Sequence, residues 1–113
     1  MSLDDYSRNG WIRSHETSAQ EIRDLIQVIE RDLRDCSTPT LSVEWRFDIA
    51  YNAVLQAATA ALAAVDYRSE RANKHMRTLE TLAFTIGLDS DEVAYTDVCR
   101  RKRHVAVYER VSR

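Results

Sequence analysis

Four consecutive cations, Arg100-Arg101-Lys102-Arg103, run into His104 and then, four residues on, Tyr108, near the C-terminus of a 113-residue chain. On a helix Arg100, His104 and Tyr108 recur at i, i+4 and i+8 with Arg101 flanking the same surface, so that a guanidinium, an imidazole and a phenol share one stripe. Arginine offers phosphate oxygens a planar fork of donors, and histidine exchanges a proton near neutral pH. Together they suit binding of a phosphodiester, or its cleavage by activating a hydroxyl and neutralising the phosphate charge. A purely structural reading competes: cations toward the C-terminal end of a helix complement its dipole, pair with carboxylates and can form a dimer contact.

The charge distribution sharpens the choice. Residues 1–99 carry a net −7 and residues 100–113 a net +5, for −2 overall. A nonspecific nucleic-acid binder is usually basic across a whole face, so the pattern points to a local phosphate- or partner-binding patch made of Arg100, Arg101, Arg103, His104 and Tyr108. Four cations in a row exceed one helical turn and cannot all lie on one solvated face. One of them must reach a carboxylate, a partner subunit or a ligand. If Ala94 and Val98 point inward with Val105 and Tyr108, Arg101 or Lys102 occupies the intervening turn; if Tyr95, Cys99 and Ala106 do, the stripe is interrupted by Lys102 or Arg103.

The elements that must position this run are legible as helices. Hydrophobic residues make up 44% and charged ones 30%, with two glycines and one proline, a balance that excludes disordered and β-rich chains. Residues 1–16 form an N-terminal arm with room for a short helix before Gly10, anchored by Trp11 and Ile12. Ser18-Ala19-Gln20-Glu21 reads as a capping box, and Ile22, Leu25, Ile26, Ile29 and Leu33 continue at helical spacing to Asp35. Cys36-Ser37-Thr38-Pro39-Thr40 is a loop, because proline disfavours helix in the residue before it. A second helix runs from Val43 to about Tyr67 with eight alanines between Ala50 and Ala64, apolar nearly all round and therefore central. Its Asn52 and Gln56 need hydrogen-bond partners if buried. Arg71 to Ile86 forms a third helix closed by Gly87 in a left-handed cap, and Asp89-Ser90-Asp91-Glu92 opens the fourth. The expected fold is all-α, an antiparallel up-down four-helix bundle in a single domain spanning residues 1–113.

Other chemistries lack support. Cys36 and Cys99 are far apart and read as free thiols, while His15 and His75 have no second ligand at metal-binding spacing, so no metal is expected. Gly-rich phosphate loops, an ordered Ser-His-Asp set and Glu-x-x-His pairs are missing, and no cofactor is expected. No apolar run reaches the roughly 18 residues of a membrane span, and Met1-Ser2-Leu3-Asp4-Asp5 lacks the apolar core of a signal peptide. The expectation is a cytoplasmic protein away from the membrane, small enough that a homodimer would help bury its apolar surface.

Arg100-Arg101-Lys102-Arg103-His104-Val105-Ala106-Val107-Tyr108 resembles the C-terminal helix signature of the HEPN superfamily, and the likeness extends through Asp4 to Trp11, Trp45-Arg46-Phe47 and the alanine-rich helix, and Thr78-Leu79-Glu80-Thr81-Leu82 to Gly87. The resemblance, to a bacterial HEPN-like subgroup, implies a small helical bundle of the kind found beside nucleotidyltransferases, in toxin–antitoxin pairs and in RNA-cleaving defence systems. It implies RNA or nucleotide, or a protein partner encoded nearby, as what the last helix meets. Active HEPN ribonucleases carry an arginine, a polar neighbour and a histidine four to six residues beyond the arginine, which here makes Arg103 the arginine and His104 the neighbour. Tyr108 then stands where the histidine is expected, and a phenol with an ordinary pKa near 10 is a poor general base. The resemblance therefore implies phosphate or partner binding without strong catalysis, with a metal-independent ribonuclease using Arg103, His104 and Tyr108, or an antitoxin-like interaction module, as the alternatives.

Overall fold

The computed structural model describes residues 1–103 in full and, of residues 104–112, the backbone alone. Helix α1, Leu3–Arg8, starts on Ser2, whose hydroxyl accepts the Asp5 amide while the Asp5 carboxylate accepts the Ser2 amide, a reciprocal cap. After Gly10, at φ +73°, the chain enters strand β1, Ile12–Ser14. Helix α2 spans Ala19–Asp35, α3 Val43–Ala64, strand β2 Tyr67–Ser69, α4 Lys74–Glu80, α5 Leu82–Thr85 and α6 Ser90–Ser112.

The molecule is mostly helical, but not wholly so. Strands β1 and β2 pair antiparallel with Ile12 opposite Ser69, Arg13 opposite Arg68 and Ser14 opposite Tyr67. The second helix therefore stops three residues short of Tyr67. Asp66 takes a left-handed conformation at φ +64°, which a short polar side chain tolerates, and its carbonyl accepts the His15 amide at 2.9 Å. Beyond it Tyr67, Arg68 and Ser69 are half-buried, exposed and buried in turn, the period-two pattern of a strand. The third helix begins at Lys74 rather than Arg71 because Asn73 is left-handed (φ +55°). It also divides at Thr81, a residue with no exposed surface whose hydroxyl donates to the Thr78 carbonyl at 2.6 Å, the local competition that bends helices at threonine.

Around α3 two apolar clusters form. One joins Tyr51, Leu55 and Ala58 of α3 to Leu79 and Leu82, with Leu88 and Cys99 packed on it. The other gathers Tyr6, Ile12 and Leu62, flanked by Trp11, Tyr67 and Phe84, and it fixes the arm: the Tyr6 ring meets Trp11 and Phe84 edge-on at 5.0 and 5.3 Å. Helix α2 lies along α3, joined across a polar seam in which the buried Asp32 carboxylate accepts from Asn52 at 2.7 Å and from Arg31 at 3.0 Å. Gln56 donates in turn to Asn52, so both amides find the partners that burial requires.

Two caps differ in outcome. The Ser18 hydroxyl accepts the Glu21 amide as expected, but the Glu21 carboxylate bonds His15 instead of returning to the helix start, so the box is half-formed. Gly87 is left-handed at φ +73°, and the Leu88 amide reaches back to the Leu82 carbonyl at 3.2 Å, which satisfies the end of α5. A Cβ at Gly87 would meet nothing within 4 Å, so Gly87→Ala tests the backbone conformation alone. We expect a loss of about 1–2 kcal/mol, read as a lower midpoint in urea with unchanged slope; an unaltered midpoint contradicts the left-handed cap.

Candidate functional site

Helix α6 opens with a reciprocal cap between Asp89 and Glu92 and descends against α3 and α4. Cys99 packs on the first apolar cluster, while Ala94, Tyr95, Arg101 and Lys102 are exposed and Val98, Arg100 and Arg103 half-buried. The inward surface thus carries Cys99 and Arg103, one helical turn apart, with Arg100 beside them. Neither apolar stripe continues cleanly: in each the cation takes the place of an apolar side chain.

The cations divide by partner. Arg100 and Arg101 share one carboxylate, their Nε atoms lying 2.9 and 3.1 Å from the two oxygens of Asp97. These i,i+3 and i,i+4 pairs neutralise part of the run and, being partly exposed, contribute little to stability. Arg103 is different. Its guanidinium carbon lies 5.2 Å from the centre of the Tyr51 ring, within cation–π range, and its buried Nε has no hydrogen-bond partner among the described residues. Tyr51 is 4% exposed, and its hydroxyl is likewise buried without a partner among the described residues. Burial pushes the Tyr51 phenol above its usual pKa, opposed by the charges of Arg103 and Arg100. A buried hydroxyl and a buried guanidinium N–H, each without a partner among the described residues, are unusual, because leaving either donor unpaired costs about 1–3 kcal/mol.

His75, in the first turn of α4, completes the arrangement. It keeps much of its surface in water, yet the protein packed around its ring, followed by the charges of Arg103, Lys74 and Arg100, lowers its pKa below the ordinary 6.5. The junction of α3, α4 and α6 therefore presents a phenol, a neutral imidazole and guanidinium groups, an array of donors with excess positive charge. The chemistry of such an array suits an anion. The His75 pKa supplies a test: the imidazole titrates below 6.5 in the free protein, and an anion seated at Arg103, or the change Arg103→Ala, raises it. Histidine NMR titrations check both shifts; a His75 pKa indifferent to Arg103 would separate the two residues.

Of the residues the sequence singled out, Arg100 and Arg103 reach this junction, Arg101 points to solvent bound to Asp97, and the side chains of His104 and Tyr108 lie outside the described residues. Tyr51 and His75 were not singled out. Tyr51 lies within a helix whose sequence is apolar nearly all round, although a buried phenol needs a hydrogen-bond partner, and the sequence offers His75 only as a histidine without a second metal ligand. A groove of about 460 Å³ runs between α4, α5 and α6, but its only charged lining residues are Glu80 and Asp97, each paired with arginine, so it offers phosphate no cation. No group of three or more metal-ligating side chains occurs among the described residues. Among them no helix is long and apolar enough to cross a membrane. No family model, curated protein or solved structure matches the chain.

Proposed function

We propose that this chain is a HEPN-like helical protein, a single domain over residues 1–113 with its main helices arranged as an antiparallel four-helix bundle. It acts in the cytoplasm as a homodimer and binds RNA or nucleotide phosphate through α6. The observation that carries the reading is that the Tyr51 hydroxyl and Arg103 Nε are both buried with no hydrogen-bond partner among the described residues, in a junction also flanked by Arg100 and His75. A phosphate there accepts hydrogen bonds from both and offsets the cation charges that add to burial in lowering the His75 pKa. Ile26, Leu33 and Val54, all more than 40% exposed on α2 and α3, support the dimer by leaving apolar surface for a second copy to cover.

A second reading, metal-independent RNA cleavage, is favoured by one observation: His75 is held neutral beside cations, so it can take a proton where phosphate would sit. The two are separated by incubating purified protein with a fluorescent single-stranded RNA and measuring anisotropy and strand length over a salt series. The binding reading expects intact RNA and an affinity falling steeply with salt; shortened RNA that survives chelator but not His75→Ala supports cleavage. Salt-insensitive or absent binding, with an assembly state changed by charge reversal at Arg100 and Arg101, overturns both in favour of an antitoxin-like module that meets a protein partner.

A further inference from the structure

A second cavity, of about 180 Å³, lies between the ribbon, α2, α3 and α4, away from the α6 junction. Leu62, Ala63, Ser69 and Thr78 line it and are all nearly fully buried, so they form its deep end. Arg68 and Lys74 are exposed and stand at its rim. His15 and Glu21, both half-buried, occupy one wall as a bonded pair, with Nε2 at 2.8 and 3.0 Å from the carboxylate oxygens.

The serine and threonine hydroxyls in this cavity have already used their protons. Thr59 donates to the Leu55 carbonyl at 2.8 Å and Thr78 to the Lys74 carbonyl at 2.7 Å. Since the Thr78 proton is committed, the 2.7 Å contact between Ser69 and Thr78 must be donated by Ser69. Each hydroxyl carries one proton and two lone pairs, so Thr59 and Ser69 can offer a ligand only acceptors. The Glu21 carboxylate is an acceptor as well. Thr59, Ser69 and Glu21 therefore ask for N–H donors, while the two rim cations ask for an anion.

We infer that this cavity binds a small zwitterion, with an ammonium group directed to Ser69, Thr59 and Glu21 and a carboxylate or phosphate held by Lys74 and Arg68. The volume equals roughly six waters of liquid, which suits a molecule the size of a small amino acid. The aliphatic floor of Leu62 and Ala63 accepts its carbon chain. The His15 imidazole holds the Glu21 carboxylate in place, and its Nδ1, with no hydrogen bond among the described residues, remains open to the ligand.

The test is NMR titration of the full chain with glycine, β-alanine and O-phosphoethanolamine, against acetate, inorganic phosphate and ethylammonium at matched ionic strength. Each zwitterion is expected to bind at least about tenfold more tightly than the probes carrying one of its charges alone, the scale of one charged hydrogen bond, with shifts centred on His15, Thr59, Ala63 and Ser69. The carboxylate and phosphate probes then rank the anionic end. Glu21→Gln, at a partly exposed position whose backbone cap is retained, should weaken the zwitterions about tenfold while circular dichroism stays unchanged. If acetate or phosphate binds as tightly as the zwitterions, if shifts fall elsewhere, or if no probe binds at high millimolar concentration, the inference is overturned.

Discussion

On the proposed reading, replacing Arg103 with alanine is expected to weaken binding of a short single-stranded RNA by about tenfold or more, whereas Lys102→Ala, one residue away, should change it by about threefold at most. The contrast follows from where the two cations stand. Lys102 is exposed, and its contribution is a screened surface charge. Arg103 is half-buried over the Tyr51 ring, with an Nε–H that has no partner among the described residues, so phosphate would satisfy a donor that is costly to leave unpaired; a charged hydrogen bond of this kind contributes about 1.5–3 kcal/mol. The slope of log affinity against log salt should fall by about one in Arg103→Ala. Tyr51→Phe removes the second donor but not the ring, and should weaken binding without changing that slope. Anisotropy titrations at several salt concentrations check all of this. Equal losses from Arg103→Ala and Lys102→Ala would reduce the junction to a diffuse basic surface.

The sequence disclosed the helices better than their ends. Helix α2 begins and stops within a residue of where Ser18 and the proline loop place it, and Gly87 caps as its neighbours suggest, because capping is local chemistry carried by the residues themselves. The β1–β2 ribbon was not legible. Its two strands are three residues each, 52 positions separate their closest partners Ser14 and Tyr67, and neither alternates long enough to compete with the helical pattern before it. The same limit applies to the site. The basic run is conspicuous by composition, but which of its members is satisfied depends on Asp97 on one side and on Tyr51 and His75 on elements far away in the chain. A phenol buried in an alanine-rich helix, and a histidine beside a lysine, announce nothing until packing sets the one under Arg103 and brings the other within reach of its charge.

That dependence on packing makes Leu79→Ala the severest test of the architecture. Leu79 is 1% exposed and joins α4 to Tyr51, Leu55 and Ala58 of α3 and to Leu82. Truncation removes the transfer energy of the lost carbons and leaves a cavity walled by a helix that cannot easily collapse. We expect a loss of about 2–5 kcal/mol, a large share of the 5–15 kcal/mol that typically stabilises a domain, and about 4–8 °C in Tm for each kcal/mol. The effect should extend beyond stability. His75 stands one turn before Leu79 on α4, and its lowered pKa comes from the protein packed around it and from cations on α4 and α6; loosening α4 lets water in and moves its pKa back toward 6.5. Because the fold disfavours protonated His75, its contribution to stability is full above pH 6.5 and declines as the pH falls through the window below that value. In Leu79→Ala that pH dependence should flatten while the overall stability drops. A denaturation midpoint within about 1 kcal/mol of the parent, with the His75 titration unmoved, would show that α4 and its histidine are held by something other than this side chain.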